Sequence, residues 1–513
     1  MESVSLPASA DVVVAGGGPA GATIARLLAD LGYQVVLLER HRFPRPQIGE
    51  SLTPSILPIL DFLGVRAQVE AAGFLRMVGH TVCWGSSQPR TSYYSPDHTR
   101  RGFQVWREDF DSLLLEHARA RGVQIIEGQA VDSVQVDHPA GVTVRCAQGS
   151  IEAAFFVDAS GHTGVLARQG LRQRDLIFQT LAVTGYWQGA TGPAGIDFAN
   201  TLLETYADGL VWSVPLHNGL RNVTFLIDWQ LGIRIRQAGL EQFYRAELHK
   251  VPYVSGFLTE AQLARPLRAF DASWYTASAF AGDRFLLVGD AGLFIDPLSS
   301  EGVHKAMASA ITGAAVINTI LRRPTMTAHA VRFYEDTQRT TYETHYRESA
   351  RYYREEGRWP DHPFWQRRSQ VQFEVSGFRF QVSSLGQREA YNPHSALRTP
   401  HSVAPSPQRI SGLRVAPGIR IELRPVIEGP YVELREAVIA PPYPRGVRYL
   451  QGVCVPTLLE VVKMHCAVAN VMTAYLQTRE GHGCPPEPVR QVLARLYQEG
   501  LLTAIAPNEN QSS

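Results

Sequence analysis

The stretch Asp11-Val-Val-Val-Ala-Gly16-Gly17-Gly18-Pro-Ala20-Gly21-Ala-Thr-Ile-Ala-Arg-Leu-Leu decides the fold. Three β-branched residues run into Gly16-x-Gly18-x-x-Gly21, and an apolar segment at helical spacing follows at once. The pattern predicts strand, tight turn, helix. Glycine is needed where the chain turns, where the backbone approaches a pyrophosphate, and where the helix packs on the strand. The first helical turn then offers unpaired N–H groups to the phosphates. Gly16, Gly18, Ala20 and Gly21 are therefore candidate phosphate ligands through their backbone. A second strand, Gln34-Val-Val-Leu-Leu, ends in Glu39, 18 residues past Gly21. That is the place of an acid that meets a ribose hydroxyl. Together these residues predict a dinucleotide-binding βαβ unit.

The rest of the composition sets the frame. With 513 residues the chain exceeds a single core and should hold two or three domains. At 45% hydrophobic and 19% charged it reads as globular. A net charge of +1 gives no global field for nucleic acid or an anionic membrane. Cys83, Cys146, Cys454, Cys466 and Cys484 are scattered without a CxxC pair. That suits reduced thiols in a cytoplasmic protein, with neither a disulfide framework nor a metal motif. The N-terminus lacks a basic, apolar leader. No uninterrupted apolar run reaches the length of about 18 residues that a membrane helix needs.

After Glu39 comes Arg40-His-Arg-Phe-Pro-Arg-Pro-Gln-Ile-Gly49-Glu50-Ser51-Leu-Thr-Pro. Its prolines forbid helix, and a long loop next to a nucleotide site is usually functional. Gly102-Phe-Gln-Val-Trp-Arg107 leads into a helix, and Phe155-Phe-Val-Asp158-Ala-Ser-Gly161 is an apolar strand ending in an acid and a glycine. From Thr180 the segments alternate as in an antiparallel sheet, with Leu210-Val-Trp212-Ser-Val214-Pro215 among them. Arg284-Phe-Leu-Leu-Val-Gly289-Asp290 returns to a buried strand, and Asp296-Pro297-Leu-Ser-Ser-Glu301-Gly302-Val303-His-Lys opens a helix. The predicted class is α/β: a Rossmann-type nucleotide-binding fold (1–179 and 266–325), an inserted antiparallel substrate-side sheet (180–265), a helical aromatic-rich lid (326–390), and a C-terminal winged-helix-like module (411–507). In that module 457–476 and 487–499 read as helices, and 392–410 reads as a linker rich in Pro, Ser and His. The aromatics of 330–390 read either as packing on the core or as the wall of a cavity for an aromatic substrate.

The Gly16 loop with Glu39, Arg107, Asp158 with Gly161, and Gly289-Asp290 with Asp296-Pro297 together resemble the FAD-binding fold of flavin monooxygenases. More narrowly, Pro46-Gln-Ile-Gly-Glu-Ser-Leu-Thr-Pro, Ala72-Gly-Phe…Trp84-Gly and Asp296-Pro…Gly302-Val-His resemble flavin-dependent halogenases over about residues 10–320. The resemblance implies FAD as cofactor, with Arg107 near its phosphates and Gly49, Glu50 and Ser51 bordering the ring system. Asp290 would touch the ribityl–pyrophosphate region, and Pro297, Gly302 and Val303 would frame the flavin at a helix N-terminus. Trp212 would line the substrate tunnel. A separate flavin reductase is implied, because no second GxGxxG for a nicotinamide appears. Family members pass hypohalous acid along a tunnel to a lysine beside the substrate.

Three positions depart from that pattern. Met77 stands where the lysine belongs in Gly-Phe-x-x-Lys-x-Gly, with Arg76 beside it. A thioether cannot act as a cation. Leu210 replaces the first tryptophan of Trp-x-Trp-x-Ile-Pro, and Glu301 replaces the small residue beside the halide. A carboxylate there repels chloride. The expected activity is therefore an FAD-dependent monooxygenase or oxidase acting on an aromatic, carrier-bound or peptide substrate. A genuine halogenase and a non-catalytic FAD-binding subunit are the alternatives. Glu301, Glu50 and Trp212 are the candidate catalytic residues, with Glu301 expected to carry a raised pKa if it is buried near the flavin.

Overall fold

A computed structural model describes residues 6–137, 141–192, 196–369 and 412–505. The described residues fall into two compact units, the first ending at Ser369 and the second beginning at Gly412. The predicted linker at 392–410 and the 370–390 part of the predicted lid lie outside the described residues. Among the described residues no helix is long and apolar enough to cross a membrane.

The first unit is built around β1 (Ser9–Ala15), α1 (Pro19–Asp30) and β2 (Val35–Glu39). Val12, Val13 and Val14 are fully buried. They do not alternate because parallel strands flank β1 on both sides and both of its faces are buried. The sheet runs Gln124–Glu127, β2, β1, Gly149–Asp158, Gly141–Cys146, Val131–Asp137, and Phe285–Leu287 pairs the far half of Gly149–Asp158. Parallel pairing sends the C-terminal ends of β1, β2, Gly149–Asp158 and Phe285–Leu287 to one edge. Gly16, Glu39, Ala159 and Asp290 therefore collect there. The helix Gly302–Arg322 packs on α1.

The second sheet has eight strands, and its centre runs Thr180–Gln188, Leu220–Asp228, Gly209–Pro215, Thr201–Tyr206. Gly79–Cys83 and Arg90–Tyr93, from before the inserted segment, extend it on one side, and Arg268–Asp271 pairs with Thr180–Gln188 on the other. The helix Thr327–Glu355 and the short helix Pro363–Ser369 pack their aromatics into one cluster with Trp84, Phe178 and Trp274. Indole groups are held as well as buried: Trp84 Nε1 donates to Tyr352 O at 3.0 Å and Trp365 Nε1 to Tyr206 O at 2.9 Å.

In the second unit the stretch read as one helix over 457–476 is two, Val455–Met464 and Val468–Leu476. The break has a hydrogen-bonding cause. Cys466 O accepts from Leu413 N at 2.7 Å, which draws the chain out of the helix toward the strand Leu413–Val415. A third helix, Pro486–Gln498, and the strand pair Leu413–Val415 with Leu502–Ala504 close a core of Leu458, Val462, Val492 and Leu496. The hairpin Arg420–Glu428 with Tyr431–Ala440 completes the unit.

Candidate active site

The glycines of the first turn serve different ends. Gly16 sits at φ +103°, and a Cβ there would lie 2.4 Å from Ala159 O. A Cβ on Gly21 would lie 1.8 Å from Gly16 O. These two glycines are demanded by the fold itself. A Cβ on Gly18 would meet only Arg45 Nη2, at 3.3 Å. Its surroundings are open, and it caps α1 with no side-chain hydrogen bond. That combination leaves the helix N-terminus free for an anion.

A cavity of about 670 Å3 runs from this turn to the second sheet of the same unit. Gly16, Gly18, Ala20, Glu39, Gly49, Glu50, Ser51, Arg107, Trp212, Asp290, Pro297, Gly302 and Val303 all line it; of the candidate cofactor-binding and catalytic residues, Gly21 and Glu301 do not. Gly21 is spent on helix–strand contact. Glu39 is buried and accepts from Gly17 N at 2.7 Å and His41 N at 2.9 Å, so its carboxylate is fixed at the end of β2.

Arg107 opens the helix Arg107–Ala120. Its guanidinium binds Asp111 through two bonds, of 2.8 and 2.9 Å, and donates to Ile48 O at 2.5 Å. It is a buried pair, not a surface one. Burial pushes its pKa down, but the Asp111 charge and hydrogen bonds more than reverse this, so the charge is secure. In this arrangement Arg107 clamps the loop carrying Gly49, Glu50 and Ser51 against the cavity. Ser51 is held by Gln104 at 2.8 Å. Glu50 is buried, which pushes its pKa up, and the Tyr186 hydroxyl at 2.5 Å only partly opposes this.

Arg45 escaped the sequence reading. It lines the cavity beside Gly18. Its ion-pair distances to Glu39 and Asp111 are long, 3.8 and 3.7 Å, and its buried Nε has no hydrogen-bond partner. A buried donor left open beside a helix N-terminus fits a diphosphate. The available signal was its place in a proline-flanked loop just after Glu39.

At the far end Lys305 Nζ pairs with Asp290 at 2.7 Å and also donates to Leu293 O, which anchors Asp290 at the cavity wall. Asp296, beside Pro297, also lines the cavity. Burial raises its pKa against the opposing bonds from Leu298 N and Tyr353.

One wall of the cavity is a face of the second sheet. Ala182, Trp212, Val214, Asn222, Thr224, Leu226, Arg268 and Phe270 line it. No residue of 330–369 lines the cavity. Those aromatics instead back Trp212, Phe270 and Phe294 from behind, which is the packing alternative.

Glu301 departs from expectation. Ser300, at φ +52°, turns the chain so that Ser300 and Gly302 face the cavity while Glu301 is bonded elsewhere. The carboxylate accepts from the Thr53 hydroxyl at 2.9 Å and the Ser55 hydroxyl at 3.3 Å, and it lies 3.1 Å from His304 Nδ1. Burial pushes its pKa up, yet the bonds and charge from His304 and the bond from Thr53 prevail. Its pKa is lowered, so the raised value anticipated from sequence is corrected. Nearby His345 is pushed down to about 4 by burial.

The halide-relay positions are also occupied in an informative way. Met77 is 2% exposed and does not line the cavity. Arg76 cannot stand in for a lysine: its guanidinium is 2.6 Å from Glu70, 3.0 Å from Arg101 O, and stacked over Phe103. The whole chain has three lysines, Lys250, Lys305 and Lys463. Each is paired with a carboxylate, and none lines the cavity. Among the described residues no cluster of His, Cys, Asp and Glu could hold a metal ion.

Residues 9–324 match the FAD-binding domain family. A tryptophan 2-halogenase of Chondromyces crocatus is 36% identical over 347 residues, which is 65% of this chain and 65% of that protein. The crystal structure of CmlS, a flavin-dependent halogenase, superposes with a TM-score of 0.76 at 27% identity, covering 97% of this chain and 96% of the other. The peptidyl tryptophan dihydroxylase QhpG, essential for tryptophylquinone cofactor biogenesis, superposes at 0.66 and 25% identity, over 96% and 100%. FAD is the cofactor that the glycine turn, Glu39 and the open Arg45 donor fit. The chain belongs to the FAD-binding family of flavin-dependent halogenase-like enzymes.

Proposed function

We propose that this chain is an FAD-dependent monooxygenase or oxidase that oxidises an aromatic substrate without transferring halogen. The observation that carries the reading is the absence of any cavity-lining lysine, with Met77 in the relay position. Reduced flavin, when bound, supplies two electrons to O2, so that one oxygen atom can enter a substrate and the other leave as water.

The chain's own groups divide the remaining work. Backbone N–H groups of the first turn, with Arg45, hold the diphosphate. Arg107 fixes the loop that borders the ring system. Trp212, backed by the aromatic cluster, presents an apolar surface for an aromatic ring. Glu50 has its pKa raised by burial and faces the cavity, so it is the group placed to hold and release a proton. Glu301 takes the sequence position of the small residue beside the halide, but its carboxylate is bonded to Thr53, Ser55 and His304 and does not line the cavity, so the case against halide capture rests on the missing lysine. A separate reductase supplies the reduced flavin, and the substrate is a small, carrier-bound or peptidyl aromatic. The protein acts in the cytoplasm.

Halogenation is the second reading, favoured by the full-length likeness to CmlS. Turnover of an aromatic substrate under labelled O2, followed by product mass, tests the first. One labelled oxygen in the product, or a loss of two hydrogens, is the expected result.

A further inference from the structure

The cavity-facing side of the second sheet carries a cross-strand row of which the proposed activity uses only Trp212. Strand register places Arg268 opposite Thr184, Thr184 opposite Thr224, and Thr224 opposite Trp212. The four residues form one cross-strand row, and Arg268, Thr224 and Trp212 line the cavity. Three strand spacings separate the backbones of its ends by about 14 Å.

The middle of the row satisfies itself. Asn222 Nδ2 donates to Thr184 Oγ1 at 2.8 Å, the two threonine hydroxyls lie 2.7 Å apart, and the Thr224 hydroxyl donates to Asn222 Oδ1 at 2.8 Å. These groups bond one another and ask little of a ligand. The ends are chemically distinct. Trp212 is a large apolar face packed on the aromatic cluster. Arg268 is exposed, its guanidinium 5.6 Å from the Phe270 ring centroid. Among the described residues no carboxylate pairs with it at salt-bridge distance, whereas the neighbouring Asp271 is taken by Arg174 at 3.3 Å. A guanidinium fork left open on a cavity wall suits a carboxylate or a phosphate.

We infer that Arg268 is a specificity-determining residue which selects an aromatic substrate bearing an anionic group at the end of a tail, the ring lying on Trp212 and the anion on Arg268. The inference rests on the reading of this sheet face as the substrate wall, but not on whether oxygen or halogen is transferred. Carboxylate and phosphate tails share the chemistry, and the test separates them.

The experiment titrates FAD-loaded, oxidised full-length protein with indolebutyrate, indolebutyramide and tryptophol phosphate, reading the change in bound-flavin absorbance. At least one of the two anions should bind about tenfold or more tighter than the neutral amide. The tighter of the two names the tail chemistry. Added salt should weaken the anion alone. Arg268→Gln should bring the anion to the level of the amide and leave the amide unchanged, and Arg268→Lys should restore part of the preference. Equal binding of anions and amide overturns the inference, as does a preference that survives in Arg268→Gln or a failure of both anions to bind. Loss of flavin from Arg268→Gln would also overturn it, because the residue would then act through the cofactor. Halide dependence of turnover plays no part in this readout, so it stands or falls separately from the proposed activity.

Discussion

The Tyr186 hydroxyl donates to Glu50 Oε1 at 2.5 Å, and this bond joins the loop 40–50 to the second sheet. Glu50 is buried and its pKa lies above the ordinary glutamate value. Its ionisation therefore costs stability, and that cost appears as pH rises from the unfolded value through the folded one. Tyr186→Phe removes a bond that favours the ionised form, so it should destabilise by about 1–3 kcal/mol at neutral pH and by less in mild acid. Glu50→Gln should remove this part of the pH dependence. Urea unfolding of the three proteins across pH checks both; a Tyr186→Phe loss that is larger in acid would contradict the assignment.

Gly18 and Gly21 should respond oppositely to substitution. A Cβ on Gly18 meets only Arg45 Nη2, whereas one on Gly21 would lie 1.8 Å from Gly16 O. Gly18→Glu puts a charge where the diphosphate belongs and should yield a folded protein without flavin. Gly21→Ala should compromise the fold itself. Circular dichroism and the flavin spectrum after purification distinguish the outcomes, and stoichiometric flavin in Gly18→Glu would refute the placement.

The contrast shows what was readable in advance. Backbone constraints at Gly16 and Gly21 act over a few residues, so spacing alone exposes them, and the parallel sheet follows from the same stretch. Arg45 was not readable, because its role depends on a loop folding back over Gly18. The sign of the Glu301 shift was missed for a similar reason. His304 lies one helical turn away, but Thr53 and Ser55 come from 246 or more positions earlier in the chain. The break near Cys466 arises from a bond to Leu413, which no helical periodicity records.

His345 should make the protein sensitive to acid. Burial lowers its pKa to about 4, so it is neutral when folded and takes up a proton more readily when unfolded. Stability is then fully present above the unfolded histidine value and is lost as pH falls toward the folded one. Glu301, whose pKa is also lowered, adds loss in the same direction at still lower pH. Replacing His345 with Gln should flatten the decline between about pH 6.5 and 4 by roughly 1–3 kcal/mol. Denaturant midpoints at several pH values measure it.

The reducing equivalents should come from another protein. The chain carries one GxGxxG turn, which the flavin takes. Mixed anaerobically with NADH or NADPH alone, the bound flavin should stay oxidised on the timescale of turnover. Addition of a flavin reductase should bleach it. Rapid bleaching by either nucleotide alone would show a hydride-donor site within this chain.

The proposed reaction proceeds without halide. No lysine lines the cavity, Met77 holds the relay position, and Glu301 sits in place of the residue beside the halide. Restoring one element should do little, so Met77→Lys with Glu301→Ser is the informative pair. The most direct measurement is product mass from wild-type turnover with reduced FAD, O2 and the native substrate, with and without chloride or bromide. Unchanged rate and a product free of any halogen isotope pattern are predicted. A chlorinated or brominated product from the wild-type protein would contradict the claim.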